Sequence, residues 1–236
     1  MACRFVPAGR IKEKKMANSP KVQAVLDKFH EIGIIPVVVL NDAKNAAPLA
    51  DALMKGGLPA AEVTFRTDAA EESIRIMAEK YPDMLVGAGT VLTKDQVDRA
   101  VNAGAKFIVS CGYDPEIVDY CLKKDICVCP GTATASEMMG CIRQGLDHVK
   151  FFPAELNGGL KKIKAIGAAL VNLKFMPTGG INAENVVEYL KDPKIFCAGG
   201  SWMVKGALID AGKFDEIEAK VKEAHEIVEK IHAEQA

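Results

Sequence analysis

Thr93-Lys94-Asp95-Gln96-Val97-Asp98-Arg99-Ala100-Val101-Asn102-Ala103-Gly104-Ala105-Lys106-Phe107-Ile108-Val109-Ser110 decides the fold. Thr93 followed three residues later by Gln96 has the form of a capping box, which starts a helix by giving its first free amides side-chain partners. Asn102-Ala103-Gly104 supplies the glycine that lets a helix end in a left-handed turn. Lys106 to Ser110 is then a short β-favouring run, and Leu85 to Ala88, upstream of Thr93, is another. Strand, helix and strand therefore follow one another with turn chemistry at each joint.

The same unit recurs along the chain. Short strands are expected at Ile34 to Val39, Ala61 to Phe65, Leu85 to Ala88, Lys106 to Ser110, Ile126 to Cys129, His148 to Phe152, Lys174 to Pro177 and Ile195 to Ala198. Between them, Ala43 to Lys55, Ala69 to Lys80, Lys94 to Ala103 and Ala183 to Leu190 carry apolar residues at helical spacing. Eight strand-helix units in a chain of 236 residues predict a (β/α)8 (TIM) barrel. A doubly wound open sheet is the alternative, but its GxGxxG fingerprint after the first strand is missing. A helix over Lys21 to Ile32 should close the lower end of the barrel. The charged tail from Lys213 to Gln235, with Ile217, Val221, His225 and Val228 near helical spacing, should form a C-terminal surface helix. His225 and His232 read as solvated tail residues rather than metal ligands. Residues 1–19 mix Pro, Gly and a basic cluster without apolar periodicity, so they read as an N-terminal extension, with Met16-Ala17 an alternative translation start; residues 20–236 read as the single barrel domain.

Composition narrows the functional classes. The formal net charge is -1 and the one basic cluster is Arg10 to Lys15, which makes nucleic acid an unexpected partner. No apolar stretch approaches the roughly 20 residues of a membrane span, and no secretory signal is apparent, so a soluble, cytoplasmic protein is expected. Among seven cysteines only Cys127 and Cys129, with Cys121 nearby, form a cluster. No CxxC or HxxxH pair completes a tetrahedral set around them, so they read as reduced core thiols and no metal is expected.

Lys150 stands inside the apolar run Val149-Lys150-Phe151-Phe152-Pro153. Burial disfavours an ammonium group, so a desolvated lysine can present a neutral amine able to attack a ketone. A snorkelling or ion-paired lysine is the other reading. Lys106 and Lys174 also adjoin apolar runs, but each precedes its run and can reach water.

In a barrel, chemistry belongs at the C-terminal ends of the strands. Glu62, Thr64 and Arg66 alternate along the second strand, opposite Ala61, Val63 and Phe65, so the polar set should face the interior or its mouth. An inward carboxylate needs a partner or a task. A structural ion pair of Glu62 with Arg66 or with Lys150 is one possibility, and acid/base chemistry the other. Gly87-Ala88-Gly89-Thr90 and Pro130-Gly131-Thr132 would bring backbone and hydroxyl groups near the axis. Pro177-Thr178-Gly179-Gly180-Ile181 and Gly199-Gly200-Ser201 end the last two strands, each opening toward a helix with free first-turn amides, which suits a phosphate.

Glu62 to Thr67, Gly87 to Leu92, Lys150-Phe151-Phe152-Pro153-Ala154-Glu155, Pro177 to Ile181 and Gly199 to Trp202 resemble the signature segments of the 2-keto-3-deoxy-6-phosphogluconate (KDPG) / 2-keto-4-hydroxyglutarate (KHG) aldolase family. The match runs in order from about Ile34 to Leu208. The resemblance implies a class I, metal-independent and cofactor-free aldolase, commonly a homotrimer, of the Entner-Doudoroff pathway, acting on a 2-keto acid and releasing pyruvate. It implies Lys150 as the Schiff-base lysine and Glu62 as acid/base. Arg66, Thr90 and Thr178 fall near the pyruvyl end, Gly179, Gly180, Gly200 and Ser201 around the phosphate, and Pro130 joins the substrate-binding set. Two departures stand out. Cys111 replaces a proline common in relatives, and Pro36 to Leu40 lacks an arginine found in part of the family. The expected reaction is cleavage of 2-keto-3-deoxy-6-phosphogluconate to pyruvate and glyceraldehyde 3-phosphate, with 4-hydroxy-2-ketoglutarate, cleaved to pyruvate and glyoxylate, as a second substrate. Alternatives are an aldolase or decarboxylase of unphosphorylated 2-keto acids and a catalytically silent barrel that senses phosphorylated metabolites.

Overall fold

Ser19 starts the first helix: its hydroxyl accepts from the Val22 amide at 3.1 Å, and Pro20 fits the first turn, where no amide is needed. The computed structural model describes residues 18–235. Most of the expected extension, residues 1–17, lies outside the described residues. Helix α1 spans Pro20–Ile32 and stops at Gly33, whose φ of 68° suits glycine. Its Phe29 is fully buried, edge-on to Phe107 and Phe196 at ring-centroid distances of 4.7 and 5.9 Å. Those rings lie at or before the starts of strands, so α1 covers the N-terminal ends, opposite the expected chemistry.

Strands and helices then alternate: β1 Ile34–Val38, α2 Ala46–Lys55, β2 Ala60–Thr64, α3 Ala70–Lys80, β3 Leu85–Gly89, α4 Lys94–Asn102, β4 Phe107–Val109, α5 Pro115–Lys123, β5 Cys127–Cys129, β6 Gly131–Thr132, α6 Ala135–Arg143, β7 His148–Phe151, α7 Gly159–Ala169, β8 Lys174–Pro177, α8 Val186–Leu190, β9 Ala198–Gly200, α9 Gly206–Asp210 and α10 Phe214–Gln235. Every strand pairing is parallel. The architecture is α/β with two curled sheets, of order β5-β4-β3-β2-β1-β9 and β6-β7-β8. Isolated parallel bridges at Phe175–Ile195 and Thr178–Gly199 link β8 with the segment around β9.

Four expectations shift. The fifth strand is split into β5 and β6 by Pro130, which lacks the amide a ladder requires. The last strand, expected at Ile195 to Ala198, is Ala198–Gly200, paired with Ile34 to Pro36, so its diglycine is strand rather than turn. The helix expected from Ala183 begins at Val186, because Asn182 forms a turn first: its side-chain oxygen accepts from the Glu184 and Asn185 amides at 2.9 and 3.2 Å. The cap of α4 is also only half as expected. Thr93 accepts from Gln96, but the Gln96 side chain reaches past Thr93 to the Leu92 amide at 2.7 Å. A complete capping box joins Thr134 and Glu137 at α6.

Helix α10 buries Ile217, Val221, Ala224, Val228 and Ile231, chiefly against α2. Gly56 and Gly57 permit that approach. A Cβ on either would come within 2.5 Å of Val221 or His225, so half-buried His225 packs one side of its ring against Gly57 rather than standing wholly in solvent.

Candidate active site

Glu62 is the central residue of β2 and is 1% exposed, so its carboxylate needs polar company. The partner is Lys150 on β7, 5% exposed, whose Nζ donates to Glu62 Oε1 at 3.1 Å. Of the two ion pairs open to sequence reasoning, the structure forms this one. Room for the carboxylate comes from Gly89, two residues beyond the Glu62–Gly87 register pair, where a Cβ would lie 2.3 Å from Oε1. The other carboxylate oxygen, Oε2, is buried without a hydrogen-bond partner among the described residues. Lys150 Nζ also lies 5.3 Å from the centre of the Phe152 ring. Its amide donates to Pro130 O at 3.0 Å, and its carbonyl accepts from the Thr132 hydroxyl at 3.0 Å. The break at Pro130 thus places a carbonyl, and Thr132 a hydroxyl, to hold the backbone of Lys150. Lys106 and Lys174, by contrast, are exposed.

Thr64 turns inward above Glu62 and donates to Val38 O at 3.0 Å. Beyond the strand end, Arg66 is exposed and donates from Nε to Thr90 Oγ1 at 3.4 Å, with Thr90 itself at φ 56° immediately after β3. Thr178 follows β8. It is buried, its Oγ1 has no partner among the described residues, and Gly199 leaves the space for it. Arg66, Thr90 and Thr178 therefore occupy the C-terminal rim, above the Glu62–Lys150 pair.

Gly179 and Gly180 adopt φ of 95° and 83°, and a Cβ at Gly180 would strike Glu155 Cγ at 2.6 Å. Gly200 ends β9 against the Trp202 ring, and Ser201 beside it is exposed. The short helices α8 and α9 start five residues or more past these glycines, so any anion contact there rests on loop amides and the Ser201 hydroxyl rather than on helix ends. Glu155 accepts a hydrogen bond from the Tyr189 hydroxyl, and its amide donates to Gly179 O at 3.1 Å. Burial, with that carboxylate beside it, pushes the Tyr189 hydroxyl well above its usual range, which keeps it a donor. Sequence reasoning missed Glu155 and Tyr189 as the brace behind Gly180, since only the fold brings α8 to this loop.

A buried lysine-carboxylate pair inside a parallel α/β fold, below a polar rim at the strand ends, has the groups that Schiff-base chemistry uses. The profile described as KDPG and KHG aldolase matches residues 22–220, and the chain belongs to that family. It is 42% identical over 206 residues to the 2-dehydro-3-deoxy-phosphogluconate aldolase of Haemophilus influenzae, covering 87% of this chain and 97% of that one. It is 40% identical over 193 residues to the KHG/KDPG aldolase of Escherichia coli K12, covering 82% and 91%. Among solved structures, the KDPG aldolase of Legionella pneumophila, with pyruvate captured as a covalent carbinolamine intermediate, superposes with a TM-score of 0.81 at 39% identity over 84% of this chain and 96% of that one. The Zymomonas mobilis KDPG aldolase with 3-phosphoglycerate gives 0.80 at 39% identity, over 86% and 94%.

Proposed function

We propose that the protein is a class I aldolase that cleaves 2-keto-3-deoxy-6-phosphogluconate to pyruvate and glyceraldehyde 3-phosphate through a Schiff base on Lys150. The observation that carries the reading is the buried 3.1 Å contact between Lys150 Nζ and Glu62 Oε1 beside the unpartnered Oε2. A proton passed from Nζ to the carboxylate leaves a neutral amine beside a neutral acid, and the amine adds to the C2 ketone. Glu62 then protonates the carbinolamine hydroxyl, water leaves, and an iminium forms. The C4 hydroxyl gives up its proton to the Glu62 carboxylate as the C3–C4 bond breaks. The bond's electron pair moves into the iminium, giving the enamine of pyruvate and free aldehyde. Protonation at C3 and addition of water release pyruvate and restore the lysine. The iminium is the electron sink, so no metal or cofactor is required by the chemistry.

Arg66, Thr90 and Thr178 bind the carboxylate and keto end in this reading. The Oγ1 of Thr178, buried and unpartnered, supports that role. Gly179, Gly180, Gly200 and Ser201 receive the phosphate, a role favoured by the left-handed backbone of the first two, and Pro130 shapes the wall beside Lys150. We read the two sheets as one closed (β/α)8 barrel, supported by the continuation of β5 into β6 and the two bridges beside β9. Exposed Met139 and Ile142, three residues apart on α6, support a homotrimer in which a neighbouring copy covers them. The free cysteines favour a reducing cytoplasm.

Borohydride reduction in the presence of pyruvate tests the chemistry. One pyruvyl adduct, mapped by peptide mass spectrometry to Lys150, is the expected result. An adduct on another lysine, or none, would overturn it.

A further inference from the structure

Cys127 and Cys129 are alternate residues of β5, so the two-residue period of a strand turns both to one face. The spacing alone leaves this pair without a third donor. The fold supplies one: β6 and β7 pair at Gly131–Lys150, and two residues back on each chain segment are Cys129 and His148. Donor atoms of Cys127, Cys129 and His148 all lie within 4.8 Å of one another, and all three side chains are buried. His148 Nδ1 is engaged by Asp147 Oδ1 at 2.9 Å, while Nε2 is buried without a hydrogen-bond partner among the described residues.

We propose that Cys127, Cys129 and His148 form a binding site for one thiophilic d10 cation, Zn2+ or Cu+, with Asp147 orienting the imidazole. Two sulfurs and one imidazole nitrogen, with no carboxylate, suit a soft or borderline cation and not magnesium or calcium. A carboxylate on the far nitrogen of a metal-binding histidine is the usual way of fixing which nitrogen faces the metal. Binding forms two metal–sulfur bonds and one metal–nitrogen bond, and each thiol releases its proton to solvent. Zn2+ would balance two thiolates in charge, whereas Cu+ is content with three donors. The site lies one side-chain layer below Lys150 on the same strand, apart from the chemistry proposed there.

The test uses metal-free full-length protein with Cys3 and the exposed Cys111 replaced by serine, kept reduced and anaerobic. Co2+ serves as a spectroscopic probe, followed by Zn2+ and, in a separate arm, Cu+. The expected result is one Co2+ per chain with an intense near-ultraviolet thiolate-to-cobalt band, displaced by one equivalent of Zn2+ and lost in Cys129→Ala. Stoichiometric uptake of Cu+ alone, with two sulfur and one nitrogen scatterers in X-ray absorption, would assign the site to Cu+. Because a core substitution can disturb folding, Asp147→Asn provides a second arm that keeps every donor. It should weaken binding about 10- to 100-fold. No stoichiometric uptake of either cation, a band that survives in folded Cys129→Ala, or unchanged affinity in Asp147→Asn would overturn the proposal.

Discussion

Gly89 governs Glu62 by having no side chain. A methyl group there would meet Oε1 at 2.3 Å, so Gly89→Ala should displace the carboxylate from Lys150, lower kcat per folded molecule and cost about 1–3 kcal/mol of stability through overpacking; steady-state pyruvate release and a thermal melt measure the two. Glu62→Gln keeps the shape and removes the proton carrier, and should cost about 10²- to 10⁴-fold in turnover per folded molecule. A variant that unfolds readily yet turns over normally would make the contact a structural ion pair, whose disruption costs about 3–5 kcal/mol. Lys150→Arg retains charge but cannot form an imine, and should lose both adduct and turnover. Lys150 and Glu62 were legible in the sequence because each breaks its surroundings: one interrupts an apolar run, the other alternates inward on a strand. Their mutual contact was not, since β2 and β7 belong to different sheets and nothing local distinguishes Arg66 from Lys150 as the partner. His148 went unnoticed beside Cys127 and Cys129 for the same reason.

The joints between elements show where pattern reading holds and where it gives way. Seven expected strands overlap the observed ones closely, because β-favouring runs bounded by turn residues are a local property. The last was displaced because pairing with β1 draws Gly199 and Gly200 into the ladder, a tertiary demand that overrides glycine's poor strand preference. The diglycine after β8 takes the left-handed backbone that glycine permits, but Asn182 delays the helix, which moves the proposed anion contact to Gly179 and Gly180 themselves. Gly180→Leu should therefore strike Glu155 and raise KM for the phosphorylated sugar acid strongly, with less effect on 4-hydroxy-2-ketoglutarate; parallel kinetics on both substrates decide this, and equal losses would remove the case for a phosphate there. At the other end of the chain, Gly57 has φ of 90°, and a Cβ on it would meet the His225 ring at 2.5 Å. Gly57→Val should loosen α10 from α2 and cost about 1–3 kcal/mol, read as a lower urea midpoint with unchanged slope.

For the whole molecule, exhaustive chelation of the folded protein should leave pyruvate release and the borohydride-trapped Lys150 adduct unaltered, since the proposed electron sink is the substrate's own iminium; chelated protein that keeps its fold and its adduct yet regains turnover only with zinc would contradict that chemistry. Sedimentation should report three chains, and charged residues at Met139 and Ile142 should shift the mass toward one. The size, rhythm and parallel sense of the fold were readable from the chain because each strand-helix unit is locally encoded. How the edges of the two sheets meet was not, because that depends on strands drawn from separate units. The meeting place is sparse: around β9, the partnership with β8 consists of two isolated bridges, with Phe196 N donating to Phe175 O at 3.2 Å and Phe175 N to Lys194 O at 2.8 Å. So few bonds make this the place where amide protons should trade with solvent soonest among the strands. Thr178 and Gly199, which form one of the two bridges, stand directly beneath the proposed phosphate loops. An occupant of those loops would pin both edges at once, and deuterium uptake at Phe175 and Phe196 should slow when the phosphorylated product is bound, even where the rest of the molecule exchanges as before.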